Sequence, residues 1–101
     1  MGLTADGGSV DRPCIALRDD STLDRWFLVR VFAYGRWHRT RLMQCDVGPA
    51  EWTGRSIDIT AAGVQRLGLD PYAYPTECWG VAAELARPGH RADHSRRAGR
   101  I

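Results

Sequence analysis

Ten residues constrain this chain more than any others: Arg25–Tyr34, RWFLVRVFAY, dense in aromatic and β-branched side chains. A run of that composition reads as a β-strand. Alternation puts Phe27, Val29, Val31 and Ala33 on one face, and Trp26, Leu28, Arg30, Phe32 and Tyr34 on the other. Both faces are apolar with one arginine intruding, so the strand is expected to be covered on both sides. Gly35 follows, and RWHRTRLMQC, Arg36–Cys45, reads as the returning strand. An Arg- and Trp-rich hairpin could hold nucleic acid through phosphates and stacked bases. A solvated strand face is the simpler reading of it.

Weaker signals flank the hairpin. Pro13–Leu17 is a short apolar run and a predicted strand, and Arg18–Ser21 reads as a turn. Thr60 is a good N-cap and Gly68 a good stop, so Ala61–Leu67 is predicted helical. Gly63 costs such a helix about 1 kcal/mol, a loss understandable if the helix lies close against a strand. Asp70–Pro75 reads as a loop and Cys78–Leu85 as the last strand. Beyond Arg87 almost no apolar residue remains, which predicts disorder. The expectation is one mostly-β domain over residues 1–85, a small barrel with one short helix, and a disordered basic tail over 86–101.

All 14 basic residues are arginine. After Leu85, five arginines face one aspartate for a net +4, so residues 1–85, with nine arginines and eleven acids, carry −2. A mildly acidic body with a basic tail argues against a nucleic-acid-binding core. No apolar run approaches the roughly 18 residues of a membrane span, so no membrane insertion is expected. The first residues, MGLTADGGSVDRP, lack the basic-then-apolar layout of an export signal. Cytosolic synthesis is therefore expected, unless the start lies further upstream or phage lysis releases the protein. Cys14, Cys45 and Cys78 show no metal-ligand spacing and read as small buried hydrophobes; a Cys45–Cys78 bridge would require adjacent strands. His38, His90 and His94 form no ligand set, so neither metal nor cofactor is expected.

Several elements then recur in a fixed order. Gly35-Arg36 opens a strand that ends in Asp46-Val47-Gly48-Pro49. After a short loop come Gly54-Arg55-Ser56-Ile57-Asp58-Ile59-Thr60, a small-residue helix closing on Leu67-Gly68, and a strand from Gly80-Val81 to Glu84-Leu85. This set resembles the double-psi β-barrel domain of rare lipoprotein A and its relatives, the expansins among them. Thr4-Ala5-Asp6-Gly7 is similar to that family's Thr-Ala-Ser-Gly turn. The resemblance implies a six-stranded barrel. Only Met1–Leu3 precede the turn here, where the family carries its first strand, so a missing strand and an open edge for another copy or a strand-donating partner are expected.

The same resemblance implies a groove for glycan, in bacteria usually peptidoglycan. Asp58 matches the aspartate that acts as general acid in active relatives. In that lytic-transglycosylase route a hydroxyl of the sugar itself closes a ring, so no second carboxylate is needed to activate water, unlike ordinary glycoside hydrolysis. Such an acid must be neutral near pH 7, through an apolar pocket or a nearby like charge. Ile57, Ile59 and Trp52 are the candidate walls and Asp46 the candidate like charge. Trp52, Glu51, Arg55 and Tyr72 are the candidate substrate contacts, whereas Trp79, inside a strand, is expected in the core. Where family members often carry a histidine after Gly-Pro, this chain reads Ala50-Glu51-Trp52. Two other outcomes stay open: glycan binding without turnover, and a non-catalytic interaction or structural module, such as a phage component, on the same barrel.

Overall fold

The structure is a computed structural model that describes residues 5, 7, 8, 11–73, 78–86 and 96–101. Six strands form one curled, mixed sheet, a half-barrel, with a single short helix. In chain order they are β1 (Cys14–Leu17), β2 (Trp26–Ala33), β3 (Arg36–Val47), β4 (Asp58–Ile59), helix α1 (Ala61–Arg66), β5 (Trp79–Glu84) and β6 (Arg96–Arg100). The spatial order is β4-β1-β3-β2-β5-β6. Only β1 and β3 run parallel; every other neighbouring pair is antiparallel.

The hairpin is the spine of this sheet. Ala33 pairs with Arg36 across a two-residue turn, Tyr34-Gly35, in which both residues have positive φ. That backbone matches the twist of the flanking strands. The tyrosine is held there by its hydroxyl, which donates to the Ala73 carbonyl at 2.6 Å. On the inner face of β2, Phe27, Val29, Val31 and Ala33 are all buried. They meet Ile15 and Leu17 of β1, Leu42 of β3, Ile57, and Val64 and Leu67 from the helix region. Each such side chain contributes about 1.5–3 kcal/mol by leaving water.

Helix α1 lies against this core. The Thr60 hydroxyl accepts from the Gly63 N–H at 3.1 Å as an N-cap. A Cβ on Gly63 would stand 2.7 Å from Ile59 Cγ2 and 3.2 Å from Leu42 Cδ1. Close approach therefore explains the glycine, and Gly63→Ala should destabilise the fold despite alanine's advantage of about 1 kcal/mol in an isolated helix. Urea unfolding of the two proteins reads the sign directly.

Three expectations need correction. Residues 96–101 are no disordered tail: β6 pairs along β5 from Trp79↔Arg100 to Ala83↔Arg96, and Ile101 is buried in the core. The apolar content of that stretch is small, but backbone pairing and one terminal isoleucine suffice. Arg97 adds an ion pair to Asp19 at 3.2 Å. The Asp19 carboxyl is held below its ordinary value, chiefly by hydrogen bonds from the Ser21 hydroxyl and N–H. Residues 87–95 of the expected tail lie outside the described residues. At one end of β6 the Arg100 carbonyl accepts from the N–H groups of Ser56 at 2.7 Å and Ile57 at 3.4 Å, so that end of the sheet touches the segment leading into β4. Glycine at 99 permits this approach, since a Cβ there would fall 2.1 Å from Ser56 Oγ. Finally, β2 is not covered on both sides. Trp26 and Phe32 are 49% and 42% exposed on its outer face, and Trp79 on β5, expected in the core, is 51% exposed.

Candidate functional site

The two aspartates are brought together by β1. Ala16 pairs with Asp46 of β3 on one side and with Asp58 of β4 on the other. Both therefore flank one small residue across two strand spacings, about 9.5 Å between their backbones. Along β1 the register slips between Ile15↔Gln44 and Ala16↔Asp46, leaving Cys45 as an extra residue. This bulge turns Asp46 toward the side it shares with Asp58. A cleft of about 270 Å³ results, lined by Ile15, Ala16, Cys45, Asp46, Asp58, Ile59 and Thr60.

The bulge is locked covalently. Cys45 forms a disulfide with Cys14 on the neighbouring parallel strand, with Cα atoms 5.8 Å apart. The chain thus bridges Cys14–Cys45, not Cys45–Cys78; Cys78 lies buried outside that bond. Burial pushes the Cys78 thiol up. Beneath the bulge, Gln44 is wholly buried. Its Nε2 donates to the carbonyls of Leu17, Asp19 and Asp46, and its Oε1 accepts from the Thr22 hydroxyl.

The two carboxylates have different surroundings. Asp46 Oδ1 accepts from the Val47 N–H at 2.9 Å and the Ala5 N–H at 3.1 Å. It thereby fixes its own strand end and holds Ala5. Asp58 is half-exposed, its side chain at 51%, and pairs with Arg55 Nη1 at 3.3 Å. Its neighbours in the cleft are apolar on one side, Ile15 and Ile59, and cationic on the other. The partner found for this carboxyl is thus a half-exposed guanidinium rather than a second carboxylate.

The other candidates divide. Arg55 reaches the site through Asp58. Ile59 lines the cleft, but Ile57 points into the core. Glu51 and Trp52 sit in a single 3-10 turn, Glu51–Thr53, and Trp52 is 88% exposed. Tyr72 is 90% exposed. None of these three lines the cleft. His38 is half-buried, with Nε2 3.1 Å from the Ala33 carbonyl. His90 and His94 lie outside the described residues.

Two residues that were not among the candidate site residues shape the site. Arg18 spans the loop between β3 and β4: its Nε donates to the Pro49 carbonyl at 3.0 Å and its Nη2 to the Arg55 carbonyl at 2.6 Å. Thr60, read as a helix cap, also accepts from the Cys14 N–H at 3.0 Å and donates to the Arg12 carbonyl at 2.8 Å. It joins the start of β1 to the helix at the floor of the cleft. Bonds spanning 31 to 48 residues leave no local signal.

Among the described residues no group of His, Cys, Asp or Glu could hold a metal ion, and no helix is long and apolar enough to cross a membrane. No family model matches the chain, and neither does any curated protein or solved structure.

Proposed function

We propose that this chain is a double-psi β-barrel domain whose cleft binds cell-wall glycan, with peptidoglycan as the first polymer to test. The observation that carries this reading is that Asp46 and Asp58, 12 positions apart in the chain, line one cleft through their common neighbour Ala16. The two carboxylates can accept hydrogen bonds from sugar hydroxyls, while Ile15 and Ile59 offer apolar contact to a ring. The parallel β1–β3 pair within an otherwise antiparallel sheet supports the barrel assignment. So does β6, which can stand in for the strand that the family carries ahead of its Thr-Ala-Ser-Gly turn. A Cys14–Cys45 bridge suits an oxidising compartment, such as that in which cell wall is found.

Binding without turnover is favoured over cleavage by the Arg55–Asp58 pair. In the lytic route Asp58 would give its proton to the glycosidic oxygen as the bond breaks, and a hydroxyl of the same sugar would attack the anomeric carbon and return its own proton to the Asp58 carboxylate. That step calls for a neutral acid, so it requires the sugar to displace Arg55. The same pair supports the reading of the barrel as a non-catalytic interaction module. Co-sedimentation with purified sacculi tests the proposal. Wild type is expected to pellet with the polymer, and Asp58→Ala, at an exposed position, to bind about tenfold more weakly through loss of a charged hydrogen-bonding group. Soluble muropeptides released by wild type but not by Asp58→Ala would establish the cleaving version. A wild-type protein that neither pellets with sacculi nor releases muropeptides would remove glycan from the proposal.

A further inference from the structure

The sheet's outer face carries a second, separate surface. Strand registry lines up Trp37, Phe32 and Trp79 in one row across β3, β2 and β5. All three are between 42% and 54% exposed. The Phe32 and Trp37 rings meet edge to face, with centroids 5.3 Å apart. The next two rows are cationic: Arg39 lies opposite Arg30, and Arg41 opposite Leu28. β6 extends the same rows, with Arg100 opposite Trp79 and Arg96 opposite Ala83. Five arginines thus share one face with an aromatic row. Among the outward positions of β2, β5, β6 and β3 up to Met43, none is acidic. The carboxylates of the cleft lie beyond the Cys45 bulge, and Glu84 is turned inward to pair with Arg25 at 3.2 Å. Arg30 adds a buried Nε with no hydrogen-bond partner among the described residues.

We infer that this face binds single-stranded nucleic acid. Arginines gathered on one surface whose outward strand positions carry no acid call for a polyanion. Half-exposed tryptophans beside them call for a polyanion that also carries flat rings. Unpaired bases supply such rings, and sheets bearing exposed aromatics stack them, while arginines follow the phosphates. A duplex is a poorer fit, because its bases are already stacked and a broad sheet face enters neither groove. An acidic polysaccharide or an anionic lipid surface would meet the arginines but has no base to lay on the Trp37–Phe32–Trp79 row. The inference is independent of the glycan proposal, since the two surfaces share no residue.

Fluorescence anisotropy with a fluorescein-labelled oligothymidine tests it on the whole chain. Binding is expected at low salt, with a log–log salt slope of up to about −3.5 if all five arginines meet phosphates, or about a hundredfold weakening between roughly 50 and 200 mM salt. Trp37→Ala and Trp79→Ala are each expected to weaken binding about fivefold or more while leaving that slope unchanged. Arg39→Gln should instead make the slope shallower by about 0.7. These side chains are exposed, so the variants should keep the wild-type circular dichroism and thermal midpoint. A duplex of the same length should compete poorly, and an oligouridine about as well as the DNA. The inference is overturned if wild type leaves the anisotropy unchanged at low salt. It is equally overturned if both tryptophan variants bind as tightly as wild type, which would mark a bare polyanion surface. Retention on phosphatidylglycerol vesicles that the oligonucleotide cannot displace would assign the face to lipid instead.

Discussion

Reducing the Cys14–Cys45 disulfide, or replacing Cys45 with alanine, should lower stability by about 3–4 kcal/mol. The bridge closes a loop of 31 residues in sequence separation, and the chain-entropy relation gives that figure at 25 °C. In a domain of this size the midpoint of thermal unfolding should fall by about 15–25 °C. Circular dichroism melts with and without a thiol reductant measure it, and Cys78→Ala, outside the bond, should show the same reductant-dependent drop as wild type. The bond also holds the bulge that turns Asp46 toward Asp58, so cleft and stability should respond together. Sacculus binding by the reduced protein should weaken at temperatures where the sheet is still folded. An unchanged melt on reduction would mean that the two sulfurs are not joined in solution.

Gln44→Leu is expected to cost about 3 kcal/mol or more. Leucine fits the volume but makes no hydrogen bond, leaving three buried or half-buried carbonyls and the Thr22 hydroxyl without this partner. Each such hydrogen bond contributes about 0.5–1.5 kcal/mol net, and the four made by Gln44 are lost together. One of those carbonyls belongs to Asp46 and another to Leu17, where β1 ends, so the damage falls at the base of the cleft. Urea denaturation should show a lower midpoint with an unchanged slope. Gln44→Glu is a useful companion, because it preserves the acceptor oxygens while removing the amide that serves all three carbonyls. A leucine variant as stable as wild type would show that the amide network adds nothing.

Local pattern revealed much of this architecture. The period-two alternation of Arg25–Tyr34 marked the correct inner face, and Thr60, Gly63 and Gly68 marked a helix whose glycine does lie close to a strand. Alternation cannot say whether an apolar face has a cover. The outer face of β2 was read as buried because Trp26 and Phe32 are hydrophobic, yet half of each meets water. β6 was illegible for a related reason: RRAGR has no apolar payload, and it folds because β5 offers a backbone edge and Ile101 reaches the core. For the site, the resemblance implied that Asp46 lies near Asp58, and Ala16 is the residue that stands between them. Arg55, expected as a substrate contact, is instead the partner of Asp58, a pairing that residue type alone does not fix. Trp52 looked like a wall because it is near the acid in sequence, but its 3-10 turn carries it away from the cleft lining.

The position of β6 also bears on how the protein is made. Its strand is made after the other five, yet it pairs beside β5 and reaches back to Ser56 and Ile57. On a ribosome, the growing polypeptide would expose the flank of β5 until Arg96–Ile101 had emerged. Contacts so distant along the chain carry a large loop-closure cost and form late. Newly made molecules would therefore pass through a stage at which an unfinished sheet needs protection from its neighbours, and the speed of translation between β5 and β6 would set how long that stage lasts.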